Sequence, residues 1–255
     1  MNLSHQELLE FLELKYRQYN KPEFIETDPV SIPHRFKRKE DIEIAAFLTA
    51  TISWGNRTSI VNDAEKLLGM MGVSPFDFLL HASEDDFAPF SGFYHRTFNG
   101  VDCMFFLRSI QNLYKSNQSL ESLFPIDDDT GIKGAICSFR NTFLKTPHQV
   151  RSEKHLADPC KGASAKRLLM FLRWMVRKDE NDVDFGLWKT IPSSKLMCPL
   201  DVHSGRVARK LGLLERKQND WQAVAELTTT LASFDPHDPV KYDFALFGLG
   251  VFEGF

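Results

Sequence analysis

Apolar residues in this 255-residue chain recur at intervals of three and four along most of its length, and no window of four to eight residues alternates cleanly between apolar and polar. Side chains spaced in this way share one face only if the backbone is helical, so the pattern predicts helix after helix. The punctuation agrees. Ser4 and Glu7 form a capping box ahead of Leu8, Leu9, Phe11 and Leu12. Pro22, Pro29 and Pro33 then break the pattern into a loop expected to lie along the surface as far as Arg38. Asp41 is placed to cap a second helix that turns Ile44, Ala45, Phe47 and Leu48 inward. The segment TISWGNR (51–57) interrupts it, and a third helix runs to about Met71, where Gly72 ends it. Ser74 and Pro75 supply a cap and a first-turn proline for a short helix. Further helices are expected over 102–115, 131–145, 165–178, 202–211, 220–233 and 239–249, with Asp127–Asp129 in a solvated loop. The expected fold class is all-α.

The length suffices for one large domain or two modest lobes. No internal repeat or low-complexity linker divides the chain, so a single globular unit over residues 1–255 is expected. Within it, 41–201 forms a central helical lobe carrying a hairpin at 159–178, and 1–40 with 202–255 forms a second, abutting lobe. The 22 phenylalanines suggest a bulky core. No apolar run approaches the roughly 18 residues that a membrane span requires. The N-terminal residues show no basic segment followed by an apolar one, so no signal peptide is expected. Cys103, Cys137, Cys160 and Cys198 form no C-x-x-C pair, which suits free thiols in a reducing cytoplasm and speaks against a zinc ribbon.

Chemistry concentrates between Lys161 and Leu214. From Lys161 to Lys178 there are six basic residues and no acidic one, although the chain carries a net charge of −3. Leu168, Leu169, Phe171, Leu172, Met175 and Val176 form a broad apolar arc of the helix that starts near Ala165. Lys166, Arg173 and Arg177 fall on the opposite arc, which predicts a cationic stripe facing solvent or a groove. Gly162, Ala163 and Ser164 precede the helix, and small residues there allow a tight turn with open backbone amides. Amides at a helix start, aided by the helix dipole, bind phosphate. The same residues suit an ordinary amphipathic surface helix preceded by a turn. Downstream, PLDVH (199–203) opens a helix with Arg206, Arg209 and Lys210 that is closed by Gly212, and Asp201 is placed as its cap.

Taken together, G-x-S-x-K (Gly162 to Lys166) and PLDVH resemble the helix-hairpin-helix DNA glycosylase superfamily. There, an L-P-G-x-G-x-K hairpin is followed by a V-D-x-H segment that opens the next helix. The sequence also resembles the bacterial DUF2400 family, related to those glycosylases. Residues 45–62 (AAFLTATISWGNRTSIVN) are similar to the superfamily's early helix pair, and 243–251 (DFALFGLGV) to its closing helix. The chain departs from the pattern in having Ser164 for the second glycine, Cys160-Lys161 for leucine-proline, and Thr51 for the usual glutamine. The spacer from Lys166 to Asp201 is longer than usual and contains VDFGLW (183–188).

The resemblance implies two abutting helical lobes and a base-excision chemistry centred on two residues. Lys166 would attack C1′ of a damaged nucleotide and form a Schiff base, which requires the unprotonated amine. Asp201 would stabilise positive charge developing on the sugar. The base would leave the duplex for a pocket, for which Trp54, Trp174, Trp188, Arg173 and His203 are candidates, although each aromatic equally suits a core role. The amides of Gly162, Ser164 and Ala165, with the charges of Lys161 and Arg167, would hold a DNA phosphate. Double-stranded DNA is the implied partner, oxidised purine the suggested lesion, a cytoplasmic monomer the expected state, and no cofactor is called for. The last cysteine is Cys198, so no C-terminal cluster of ligands for an iron–sulfur centre follows. The alternatives are a non-catalytic DNA-binding protein that retains the helix-hairpin-helix fold, consistent with Ser164 and Thr51, and a helical protein whose hairpin binds another anion.

Overall fold

A computed structural model describes residues 3–116 and 119–255. Its helices are α1 (His5–Tyr19), α2 (Pro22–Thr27), α3 (Lys39–Ile52), α4 (Arg57–Gly69), α5 (Pro75–His81), α6 (Glu84–Phe87), α7 (Gly100–Lys115), α8 (Gly131–Phe143), α9 (Lys166–Val176), α10 (Val202–Lys210), α11 (Trp221–Ala232) and α12 (Asp243–Val251). Short 3-10 turns link several of them. The mostly helical fold follows the periodicity, and the expected windows fall on α7 through α12 with small shifts at the ends. The expected capping box at Ser4 and Glu7 is present, and Ser74 caps α5 ahead of its first-turn proline.

Three local expectations are corrected. A two-stranded antiparallel hairpin, β1 (Tyr94–His95) and β2 (Phe98–Asn99), is too short for alternation to reveal. The proline-rich segment is not a surface loop: Pro29 and Pro33 open 3-10 turns, and Val30 and Ile32 between them are buried. Asp41 does not cap its own helix, whose N-cap is Arg38. Its carboxylate instead accepts the Ser74 hydroxyl at 2.9 Å and the Phe76 amide at 2.8 Å, at the start of α5.

The described residues fall into two compact units, one running to Phe24 and resuming over Asp158–Phe255, the other Ile25–Ala157. The lobes expected from sequence divide at 41 and 201. In the structure the hairpin segment 159–178 belongs with the terminal helices, because α9 is tied to α12 and Arg177, directly after it, to α1. The Arg173 guanidinium lies 4.3 Å from the Phe244 ring centre, and Arg177 donates to the Tyr16 hydroxyl at 2.8 Å. In this unit Gly248 is forced by a close approach, since a Cβ there would sit 2.1 Å from the Tyr19 ring.

The Ile25–Ala157 unit is built on α3, where every residue from Asp41 to Ile52 is buried. Phenylalanines pack around it: Phe47 meets Phe139 and Phe143 at ring separations of 5.5 Å, and Phe106 meets Phe143 at 5.0 Å. Such offset and edge-on contacts add to the burial of large apolar area. Cys103 and Cys198 are buried free thiols, whereas Cys137 and Cys160 are disulfide-bonded, against the expectation of four free thiols.

Candidate active site

The turn that leads into α9 satisfies itself before any ligand arrives. Asp158 accepts the amides of Cys160 and Lys161 at 3.1 and 3.3 Å through its carboxylate, and its carbonyl takes the Ala163 amide at 3.1 Å. The Gly162 amide donates to the Pro159 carbonyl at 3.0 Å, so it does not point outward as the phosphate role requires. Gly162 adopts φ 91°, and Ala165, directly ahead of Lys166, adopts φ 51°. A left-handed alanine costs about 1–2 kcal/mol, and strain of this kind gathers at functional sites. Ser164 is half-buried and Ala165 buried. Lys161 is exposed, its amine 3.9 Å from Asp158. Arg167 is half-buried, and burial draws its guanidinium down to about 10.

Lys166 begins α9 and Asp201 caps α10, and the structure brings the two together. The Lys166 Nζ lies 3.9 Å from Asp201 Oδ2, with about a quarter of each side chain exposed, and 3.6 Å from the Met170 sulfur. The two oxygens of Asp201 divide the work. Oδ1 accepts the amides of His203 and Ser204 at 2.8 and 2.9 Å, as a helix cap does, while Oδ2 faces the lysine. The Ser204 hydroxyl accepts the Asp201 amide at 2.9 Å and closes a capping box. The ring of His203 is exposed, and it is the backbone amide of His203 that meets Asp201.

Beneath this pair the expected cationic stripe is not a stripe. Arg173 and Arg177 are buried. Arg173 contacts Asp184 at 3.2 Å and is hydrogen-bonded to Asp243. Arg177 contacts Asp184 at 3.1 Å and Asp238 at 2.8 Å, and is hydrogen-bonded to Asp179. Two guanidiniums therefore face four carboxylates inside one unit, and their charge is spent internally. Burial pushes the Asp243 carboxyl up to about 6, against the pull of Arg173 and Lys166 and with the Asp201 charge adding to the rise. Burial likewise raises the Cys198 thiol, with Asp243 adding to it, so Cys198 is not a thiolate nucleophile at neutral pH.

The aromatic candidates are placed differently. Trp174 and Trp188 are fully buried, and Trp188 meets Phe171 edge-on at 5.3 Å, so neither offers a face to a base. Trp54 belongs to the Ile25–Ala157 unit, stacked over His155 at 5.7 Å and edge-on to His95 at 5.0 Å. Asp184 and Asp243 are members of the site that sequence reasoning passed over. Each is a lone carboxylate in an apolar run, VDFGLW and DFALFGLGV, and a carboxylate that must be buried demands a cation.

Fold and site define a mostly helical protein that holds a lysine–aspartate pair at the starts of two helices, above a buried arginine–aspartate network. A family model described as protein of unknown function DUF2400 matches residues 28–252, and the chain belongs to that family. No curated protein and no solved structure matches the chain. Among the described residues, no helix is long and apolar enough to cross a membrane.

Proposed function

We propose that this protein is a DNA glycosylase of the helix-hairpin-helix kind with an associated lyase step, acting on a modified base in double-stranded DNA. The observation that carries the reading is the approach of Lys166 Nζ to 3.9 Å from Asp201 Oδ2, at the head of one helix and the cap of the next. The hairpin motif, the aspartate segment and their order along the chain support it.

In this reading the unprotonated Lys166 amine attacks C1′ of the damaged nucleotide. The N–C1′ bond forms as the glycosidic bond breaks, and the base leaves with the bonding pair and takes up a proton. Asp201 Oδ2 stabilises the positive charge that builds on the sugar between these events, while Oδ1 keeps the carboxylate in place through the cap. The new ammonium gives up a proton to Asp201, leaving an N,O-acetal. The C1′–O4′ bond then breaks with O4′ taking up a proton, and the acetal becomes an iminium. Loss of a C2′ proton forms the C2′–C3′ double bond and expels the 3′ phosphate. The reaction calls for no cofactor, an oxidised purine is the suggested base, and a monomer in the cytoplasm is the expected setting.

Borohydride trapping on a panel of damaged duplexes tests this. Reduction of the iminium to a secondary amine fixes enzyme to DNA, so the wild type is expected to give a covalent adduct that Lys166→Ala abolishes. If no duplex gives an adduct while salt-sensitive DNA binding persists, the glycosylase reading is wrong and a non-catalytic DNA-binding role replaces it. If no DNA binds even at low salt, both are wrong.

A further inference from the structure

The pair of Lys166 and Asp201 does not hold itself together. Two part-exposed side chains at 3.9 Å attract each other too weakly to set the spacing of two helices. Something else must fix it, and the loop after α10 reaches both helix starts.

Past Lys210, Gly212 takes φ 73° and the chain doubles back along α10. The Leu213 amide donates to the Ala208 carbonyl at 2.8 Å. Arg209 Nε donates to the Arg216 carbonyl at 2.7 Å, and its Nη2 to Asn219 Oδ1 at 2.7 Å. So oriented, Asn219 Nδ2 donates to the Asp201 carbonyl at 2.9 Å, the same carbonyl that takes the Gly205 amide at 3.0 Å. Two positions on, the Trp221 amide donates to the Gly162 carbonyl at 2.9 Å, and Asp220 pairs antiparallel with Ala163. Arg216 anchors Asp220 at 2.7 Å, and Asp220 accepts the Ala223 amide at 3.1 Å to cap α11. Space for this is reserved. A Cβ on Gly205 would lie 2.9 Å from Asn219 Oδ1 and 2.9 Å from Arg209 Nη1.

Three consecutive residues thus bond to the residue that carries the carboxylate and to the turn that leads into the lysine. We infer that Asn219–Trp221 is a strut that sets the separation of the Lys166 amine and the Asp201 carboxylate, with Asn219 as its positioning residue. A segment this short has little slack, since each residue spans at most about 3.6 Å. The Asn219 amide is read at both ends: Arg209 fixes its oxygen, and its nitrogen fixes Asp201. The kinetic consequence rests on the glycosylase reading, whereas the structural consequence does not.

A water-soluble carbodiimide applied to the full chain tests the structural part. It joins a carboxylate to an amine only where they meet, and peptide mapping by mass spectrometry reads the Lys166–Asp201 isopeptide. The wild type is expected to form it and Lys166→Arg to lose it. Asn219→Ala removes the strut's donor. Asn219→Asp keeps an acceptor for Arg209 but has no N–H for Asp201. Gly205→Ala leaves Asn219 intact and displaces only the ends of flexible side chains, so its fold is retained. Each is expected to lower the isopeptide yield on the order of tenfold, since proximity effects respond to shifts of about 1 Å. Unchanged yield in all three overturns the strut.

In single-turnover trapping the same variants are expected to lose on the order of tenfold in rate with duplex affinity unchanged. Weakened affinity with an unchanged rate also overturns the positioning role. If the isopeptide depends on Asn219 but no damaged duplex traps the wild type, the strut stands and the glycosylase reading falls.

Discussion

Asp243 is buried at the first position of α12, hydrogen-bonded to Arg173, and its carboxyl is pushed up to about 6 by burial. A carboxyl of an unfolded chain titrates near 3.9. The folded state therefore favours the proton, and this group's contribution to stability is full below about pH 4 and is lost as pH rises through about 6. The shift corresponds to roughly 3 kcal/mol. Urea unfolding of the wild type and of Asp243→Asn at pH 4 and pH 7 isolates this group, because every other titration is shared by the two proteins. The wild type is expected to lose stability relative to the variant between the two pH values. A constant difference would mean that Asp243 is ionised throughout. From sequence, Asp243 looked like one more residue of an apolar closing segment. Its partner Arg173 stood in the text as one of a row of basic residues, and periodicity alone does not tell a cation turned to solvent from one folded onto a buried acid.

At the scale of elements, the helix starts are where sequence and structure agree best. Asp201 as a cap, Lys166 at a helix head and Gly212 as a stop are all local chemistry, written in adjacent residues. Beside the cap, the proposed glycosylase reading gives Asp201 a second, chemical role, and substitution separates the two. Asn caps a helix about as well as Asp, whereas Ala costs about 1 kcal/mol. Asp201→Asn is therefore expected to melt within a few degrees of the wild type yet trap no DNA, and Asp201→Ala to lose both the chemistry and measurable stability. If Asp201→Asn traps normally, Asp201 is only a cap. The elements that sequence missed are those whose cause is distant. Asp41 serves α5 because tertiary packing brings Ser74 and Phe76 to it, and the two-residue strands β1 and β2 carry no period to detect. Asn219 sits in a loop with no motif, and only the returning chain discloses that it reaches Asp201.

For the molecule as a whole, charge decides how it would meet DNA. The six basic residues from Lys161 to Lys178 suggested a broad cationic face on a chain of net charge −3. Arg173 and Arg177 are consumed by Asp179, Asp184, Asp238 and Asp243, and Lys178 lies 2.7 Å from Asp182. Of that run, Lys161 is the most open, and it stands on the turn that leads to Lys166. Each phosphate neutralised contributes about 0.9 to the salt dependence of duplex binding, so a protein with few open cations binds with a shallow slope. Lys161→Ala is expected to lower that slope by about 1 and to weaken binding alike for damaged and undamaged duplexes, while the trapping rate at saturating DNA stays as in the wild type. Binding isotherms over a salt series supply the slope. A variant with an unaltered slope would remove Lys161 from the interface. Arg173→Ala is expected to behave otherwise, since removing a buried guanidinium strands Asp243 and part of Asp184 and costs about 3–5 kcal/mol in stability, read as a lowered melting temperature. If the glycosylase reading holds, the surface cation changes duplex binding and its salt response while the buried one changes the fold, and that contrast separates charge available to a polyanion from charge consumed inside the protein.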